Sequence, residues 1–123
     1  MPDSCNIAAA LPRLAGEHPQ RVAMRHPGPD GGYRGQLTYA ALDARSDAIA
    51  AGLSRAHGIV RGTRVAVMVR PTPEFFLLMF ALFKAGAVPV LVDPGIGRRA
   101  LRQCLDEASP EAFIGVPLAQ LAR

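Results

Sequence analysis

RVAVMVRPTPEFFLLMFALFKAGAVPVLVDPGIG, residues 64–97, reads as strand, helix, strand and turn, and decides the fold. After Arg64 the opening residues are apolar and mostly β-branched, as in a strand buried on both faces. Thr72, Pro73 and Glu74 then form a helix start: a hydroxyl cap, a proline at the first helical position, and an acid beside the positive end of the dipole. The helix is expected to run to about Lys84 and stop at Gly86, with residues 88–92 as the next strand. Residues 98–108 read as a second helix with Leu101, Cys104 and Leu105 inward, closed by Ser109 and Pro110, and residues 112–114 as a third strand. Strand starts near 64, 88 and 112 repeat a βα unit of about 24 residues, which predicts an α/β fold: a mostly parallel sheet, helices on both faces and right-handed crossovers.

Working back toward the N-terminus, Asn6 can cap a short helix that sets Ile7, Leu11 and Leu14 on one face, with Pro12 as a point of kinking. A short strand fits residues 22–25. The run PGPDGGYRG, 27–35, is dense in turn formers and is expected to be an exposed loop. Residues 36–38 extend into a helix over 39–57, with Thr38 as its cap and Gly58 as its C-terminal stop. Leu42, Ile49, Leu53 and Ala56 form its apolar stripe, and Asp43, Arg45, Asp47 and Arg55 its solvated side.

Half of the 123 residues are apolar and 20% are charged, a globular composition. The net charge of +4 comes from thirteen arginines and a single lysine, Lys84, scattered rather than striped. That distribution excludes a nucleic-acid surface, which wants basic residues interleaved with aromatics. Cys5 and Cys104 have no ligand spacing, and Cys104 is expected to be a small buried thiol. Asp3, Pro12 and Arg13 do not fit a signal peptide, so a reducing cytoplasm is the expected compartment. From Phe75 to Val92 almost every residue is apolar, close to the length of a membrane span. Lys84 in the middle, with Gly86 and Pro89 following, favours helix, turn and strand instead.

The sharpest motif is Gly95-Ile96-Gly97-Arg98-Arg99-Ala100, which matches G-x-G-x-x-G/A after a strand and at a helix start. Such a turn can hold a phosphate on backbone N–H groups. Asp93-Pro94 lengthens the loop and adds a carboxylate, while Glu111 lies at the wrong end of the next strand to grip a ribose. An ordinary strand-to-helix connection is the preferred reading. His18, His26 and His57 are scattered, no serine lies in a G-x-S-x-G elbow, and there is no G-x-x-x-x-G-K-[ST] loop.

From Thr38 onward, Leu37-Thr38-Tyr39, Leu42, Arg45-Ser46, Ala50, Gly52-Leu53, Gly58, Gly62, Arg64-Val65-Ala66, Pro73-Glu74-Phe75, Ala81-Leu82, Lys84-Ala85-Gly86-Ala87-Val88 and Asp93-Pro94 follow one pattern. It resembles the N-terminal region of adenylate-forming enzymes: acyl-CoA synthetases, firefly luciferase and peptide-synthetase adenylation domains. The stretch from Pro73 to Gly97 is most similar to the bacterial β-lactone synthetases of long-chain olefin biosynthesis. Thr63 stands where the family commonly has Asp, residues 70–72 replace an Asn-containing turn, and Pro89 is displaced. The resemblance implies ATP and Mg2+ as cofactors and a long-chain β-hydroxy acid activated as its acyl-adenylate, then closed to a β-lactone. A fatty-acyl-CoA ligase is the alternative. The implied partners are the remainder of its own chain and other olefin-biosynthesis enzymes, with no nucleic acid.

On this reading residues 1–123 are a truncated N-terminal portion of the adenylate-forming domain, inactive alone. The family's phosphate loop with its lysine, aromatic–Thr–Glu motif and C-terminal catalytic lysine would lie beyond residue 123, so no catalytic, cofactor-binding or metal-binding residue is assigned within it. Two features of the chain agree. Pro117 opens VPLAQLAR with few residues left, and the run from Phe75 to Phe83 is apolar on every side, so it expects protein all round. Two rival readings use the same features: a small nucleotide-binding module built on the Gly95–Gly97 turn, and an interaction module presenting the Phe75–Phe83 helix.

Overall fold

The start signals at Asn6 and Thr38 close hydrogen bonds in the computed structural model, which describes residues 6–93 and 95–115, whereas the Thr72 hydroxyl makes no cap bond to the helix it precedes. Asn6 Oδ1 accepts from the Ala8 N–H at 3.0 Å, and a 3-10 turn, Ile7–Ala9, runs into α1, Ala10–Glu17. Pro12 falls in the first turn of α1, where its missing N–H is no loss. Thr38 Oγ1 accepts from the Ala41 N–H at 3.1 Å and opens α2, Tyr39–His57, which ends at Gly58 with φ 65°. Pro73 opens α3, Pro73–Ala85, which Gly86 closes. Between these helices lie β1, Val22–Pro27, β2, Tyr33–Thr38, and β3, Arg64–Met68. Then come β4, Val88–Leu91, α4, Arg98–Ala108, and β5, Ala112–Gly115. Pro117 and the residues after it lie outside those described.

β3, β4 and β5 form a parallel sheet in the order β4-β3-β5. The central strand is the most buried, with Val65 and Ala66 at 0% exposure. Alternation sends Val65 and Val67 toward Leu82 of α3, and Met68 toward Leu101 of α4. Helices therefore cover both faces, as the βα repeat requires. β1 and β2 form a separate antiparallel pair, with Met24 opposite Leu37. The exposed turn between them is 28–32, shorter than the expected 27–35, because Pro27 and residues 33–35 belong to the strands.

The all-apolar helix is accommodated differently from expectation. Leu82 packs with Val65, Val67, Ile59 and Ala87 on the sheet side. Leu77 packs with Leu11, Leu37 and Leu42, which come from α1, β2 and α2. α3 is thus a middle layer between the parallel sheet and a lid made of α1, α2 and the hairpin. Leu77, Ala81 and Leu82 are fully buried, and only Phe76, 43% exposed, presents a large surface to solvent along this helix. The described residues supply most of the cover that the apolar run demands.

Two other expectations are corrected. Cys104 is exposed, because Leu101 and Leu105 already turn the inward face of α4 to the sheet and a residue three positions from Leu101 lies at its flank. Ala56 is also exposed, since α2 has run past the edge of its neighbours by its last turn.

Gly86 is where sequence and packing meet most tightly. Its φ is 75°, and a Cβ would meet Arg61 Cγ at 3.0 Å and the Arg61 backbone Cα at 3.2 Å. Gly62 N–H, one residue on, donates to Gly86 O at 2.8 Å, so the 58–63 loop is pinned over the α3–β4 turn. Gly86→Ala should cost about 1–3 kcal/mol from left-handed strain and crowding together. Leu82→Ala should cost about 2–5 kcal/mol, and Phe76→Ala less than half of that. Urea midpoints at constant m-value check all three.

Candidate functional site

Topology points to one place in this sheet. β3 connects to β4 on one side, and β4 then crosses to β5 on the other side of β3. The connections reverse between β3 and β5, and in open α/β sheets ligands bind at such a switch point, outside the carboxyl ends of the strands. Here that crevice is bordered by the loop from Val69 to Thr72 and by Gly115. A Cβ on Gly115 would lie 2.7 Å from a Phe113 ring carbon and 3.3 Å from Met68 O, so glycine suits the packing of β5 on β3 there.

Charge gathers at the start of α3. Glu74, at the start of α3, has its carboxyl held below the ordinary value of 4.5 by backbone hydrogen bonding, then by the Thr72 hydroxyl. The positive fields of Arg45, on α2, and His26, on β1, act in the same direction, against a small cost of burial. Three elements distant in sequence thus place a carboxylate, a guanidinium and an imidazole near one end of the middle helix.

The Gly95–Gly97 turn does not behave as a phosphate loop. Asp93 Oδ1 accepts the Gly95 N–H at 2.9 Å, so the first donor a phosphate would use is taken by a carboxylate. Gly97 has a φ of −68°, in the ordinary extended range. A Cβ on Gly97 would meet no protein atom within 4 Å, so protein packing does not call for glycine there. Glu111 is at the amino end of β5, where its Oε1 accepts the Arg64 N–H at 3.3 Å. The Arg64 side chain goes on to donate to the carbonyls of Ala108 and Ser109 at 3.0–3.2 Å, a cation closing the C-terminus of α4. These residues fit a connection and do not fit a dinucleotide. Arg98, Arg99 and Arg102 stay on the exposed side of α4.

Asp43 and Asp47, expected to be solvated charges, are instead partners of Lys84. Lys84 Nζ donates to Asp43 Oδ1 and Asp47 Oδ1, both at 2.7 Å, and to the Asp43 carbonyl at 3.0 Å. The Lys84 side chain is 12% exposed. Asp43 and Asp47 are one turn apart on α2, which makes them a two-pronged receptor for a cation on α3. Two neighbours strengthen the joint: Ser46 is fully buried and donates to Asp43 O at 3.0 Å, and Asn6 Nδ2 donates to Phe83 O at 2.7 Å. A depression of about 250 Å3 lined by Asn6, Ala8, Ala9, Pro12, Asp47 and Lys84 opens beside it. The i, i+4 spacing of the two aspartates was visible in the sequence, but nothing local pointed to Lys84 as their partner.

Among the described residues no group of three or more His, Cys, Asp and Glu side chains converges as a metal site requires, and no helix is long and apolar enough to cross a membrane. Cys5 lies outside the described residues.

The model of the AMP-binding enzyme family matches residues 11–122. The chain is 72% identical over 97% of its length to the olefin beta-lactone synthetase of Xanthomonas campestris pv. campestris, covering 22% of that protein. It is 67% identical over 97% of its length to the olefin beta-lactone synthetase of Stenotrophomonas maltophilia, again covering 22%. The chain therefore spans about a fifth of the length of these curated relatives. Among solved structures it superposes on the N-terminal subdomain of Klebsiella oxytoca NpsA in complex with 3-hydroxyanthranilyl-AMSN. The TM-score is 0.82 at 25% identity, over 93% of this chain and 28% of that one.

Two outcomes follow from the charges. Asp43→Asn should cost about 1–3 kcal/mol, because it weakens a largely buried pair, whereas Asp47→Asn, 64% exposed, should cost less than about 1 kcal/mol. Glu74 has a lowered folded pKa, so its stabilisation is present above its ordinary value and lost as pH falls through the folded one. The difference in urea midpoint between wild type and Glu74→Gln should be present at neutral pH and vanish in acid.

Proposed function

The chain belongs to the AMP-binding enzyme family, and from that premise we propose that it is the N-terminal portion of an ATP-dependent ligase that converts a long-chain β-hydroxy acid into a β-lactone. The likeness to the two bacterial beta-lactone synthetases carries this reading, because it runs through almost every residue of the chain. In the proposed reaction a carboxylate oxygen attacks the α-phosphorus of ATP, supplied with Mg2+, and pyrophosphate leaves. The acyl-adenylate now carries a good leaving group. The β-hydroxyl oxygen attacks the acyl carbon, its proton passes to a base, and the acyl C–O bond breaks to release AMP and close the ring. A cytoplasmic site of action goes with this reading, since ATP is its substrate.

This chain's part is architectural. The described residues offer no fitting phosphate turn and no converging metal ligands, so no step is assigned to them. They contribute the parallel sheet, the layer of helices that holds it, and one border of the switch-point crevice. Contacts from the remainder of the polypeptide would complete the site.

The full-length polypeptide, given a long-chain 3-hydroxy acid, ATP and Mg2+, should release AMP and pyrophosphate and yield a product lighter than the acid by one water. Added coenzyme A should leave that product unchanged. An acyl-CoA product would overturn lactone closure in favour of a fatty-acyl-CoA ligase. Residues 1–123 alone should show no ATP binding by calorimetry, and tight binding there would contradict the architectural role.

A further inference from the structure

Lys84 is the chain's one lysine, against thirteen arginines. Arginine stays protonated, whereas a lysine amine that gives up a proton is a nucleophile toward activated acyl groups. Lys84 is also the cation between α2 and α3, with all three ammonium hydrogens matched by oxygens at 2.7–3.0 Å. Its side chain is 12% exposed, yet it borders the depression formed with Asn6, Ala8, Ala9 and Pro12. Asp47 lines the same depression, so the ion pair lies along its wall.

We infer that Lys84 is an acylation-sensitive latch: bound by Asp43 and Asp47 it resists acyl transfer and holds α2 on α3, and once acylated it releases them. For Nζ to react, it must leave at least one carboxylate and lose a proton to that carboxylate or to solvent. Its electron pair then attacks the acyl carbon, the N–C bond forms, the bond from that carbon to the leaving oxygen breaks, and a second N–H proton passes to solvent or to the departing phosphate. An acyl-adenylate, with AMP as leaving group, is the natural donor; that identity rests on the activity proposed above. The product amide is neutral and keeps one N–H of three. At most one of the three bonds survives. Asp43 Oδ1 and Asp47 Oδ1, each 2.7 Å from Nζ and so within twice that distance of one another, then face each other without a cation.

The full-length polypeptide is treated with N-hydroxysuccinimidyl acetate, and acetylation of Lys84 is followed by peptide mass spectrometry. Wild-type Lys84 should react at least fivefold more slowly than in the urea-unfolded chain, and Asp47→Asn should recover much of that difference. Hydrogen exchange on the acetylated chain should show lost protection in 39–57 and 73–85 with β3 still protected. Lys84→Gln, which mimics the neutral amide, should reproduce this pattern, while Lys84→Arg, which keeps the charge, should not. Equal acetylation rates in folded and unfolded chains would overturn the protected state. Unchanged exchange after acetylation, or loss of protection in Lys84→Arg equal to that in Lys84→Gln, would overturn the latch. The donor is added rather than made, so these outcomes are independent of whether the whole enzyme forms acyl-adenylates.

Discussion

The burial of one helix on two sides governs this structure. α3 has almost no polar residue between Glu74 and Lys84, and an apolar cylinder in water is unfavourable wherever it is uncovered. Leu82 answers this by packing on Val65 and Val67 of the sheet, and Leu77 by packing on Leu11, Leu37 and Leu42. The parallel sheet and the lid of α1, α2 and hairpin scarcely need to meet directly, because each closes on a different face of α3. The hairpin has its place for the same reason: Leu37 enters the cluster around Leu77 only if β2 lies across the helix.

Charge works at the joints of this layered arrangement. The one lysine sits at the last turn of the middle helix and is received by two aspartates one helical turn apart. On the opposite face of the sheet, Arg64 ties the amino end of β3 to the last carbonyls of α4 and to Glu111. Both cations sit where helix dipoles end in negative potential. Both also connect elements that local chain geometry would leave free to slide. Polar groups near the core are few and matched; among the described residues no buried side-chain nitrogen or oxygen lacks a partner.

Membership of the AMP-binding family is compatible with a Gly95–Gly97 turn whose first N–H is taken by Asp93. The match to that family runs over residues 11–122, which include the whole parallel sheet described above. The connections reverse between β3 and β5, the place in open α/β sheets where ligands bind.

Much of the fold was legible because its signals are local. Thr38, Gly58, Pro73 and Gly86 act within a few residues of themselves, through a cap, a fixed φ or a left-handed turn, so the ends of α2 and α3 could be read directly. The β-branched run at 64–69 and the βα repeat determined a parallel sheet in the same way. Tertiary structure alone decided the rest. Asp43 and Asp47 look like solvent charges until Lys84, some forty residues away, is folded against them. Cys104 looks inward by spacing, but which flank of α4 meets the sheet depends on the packing of Leu101 and Leu105. The depression beside Lys84 exists only where α1, α2 and α3 converge. Backbone torsions and caps are set by neighbours in the chain, whereas charge pairing, exposure and concavity are set by neighbours in space.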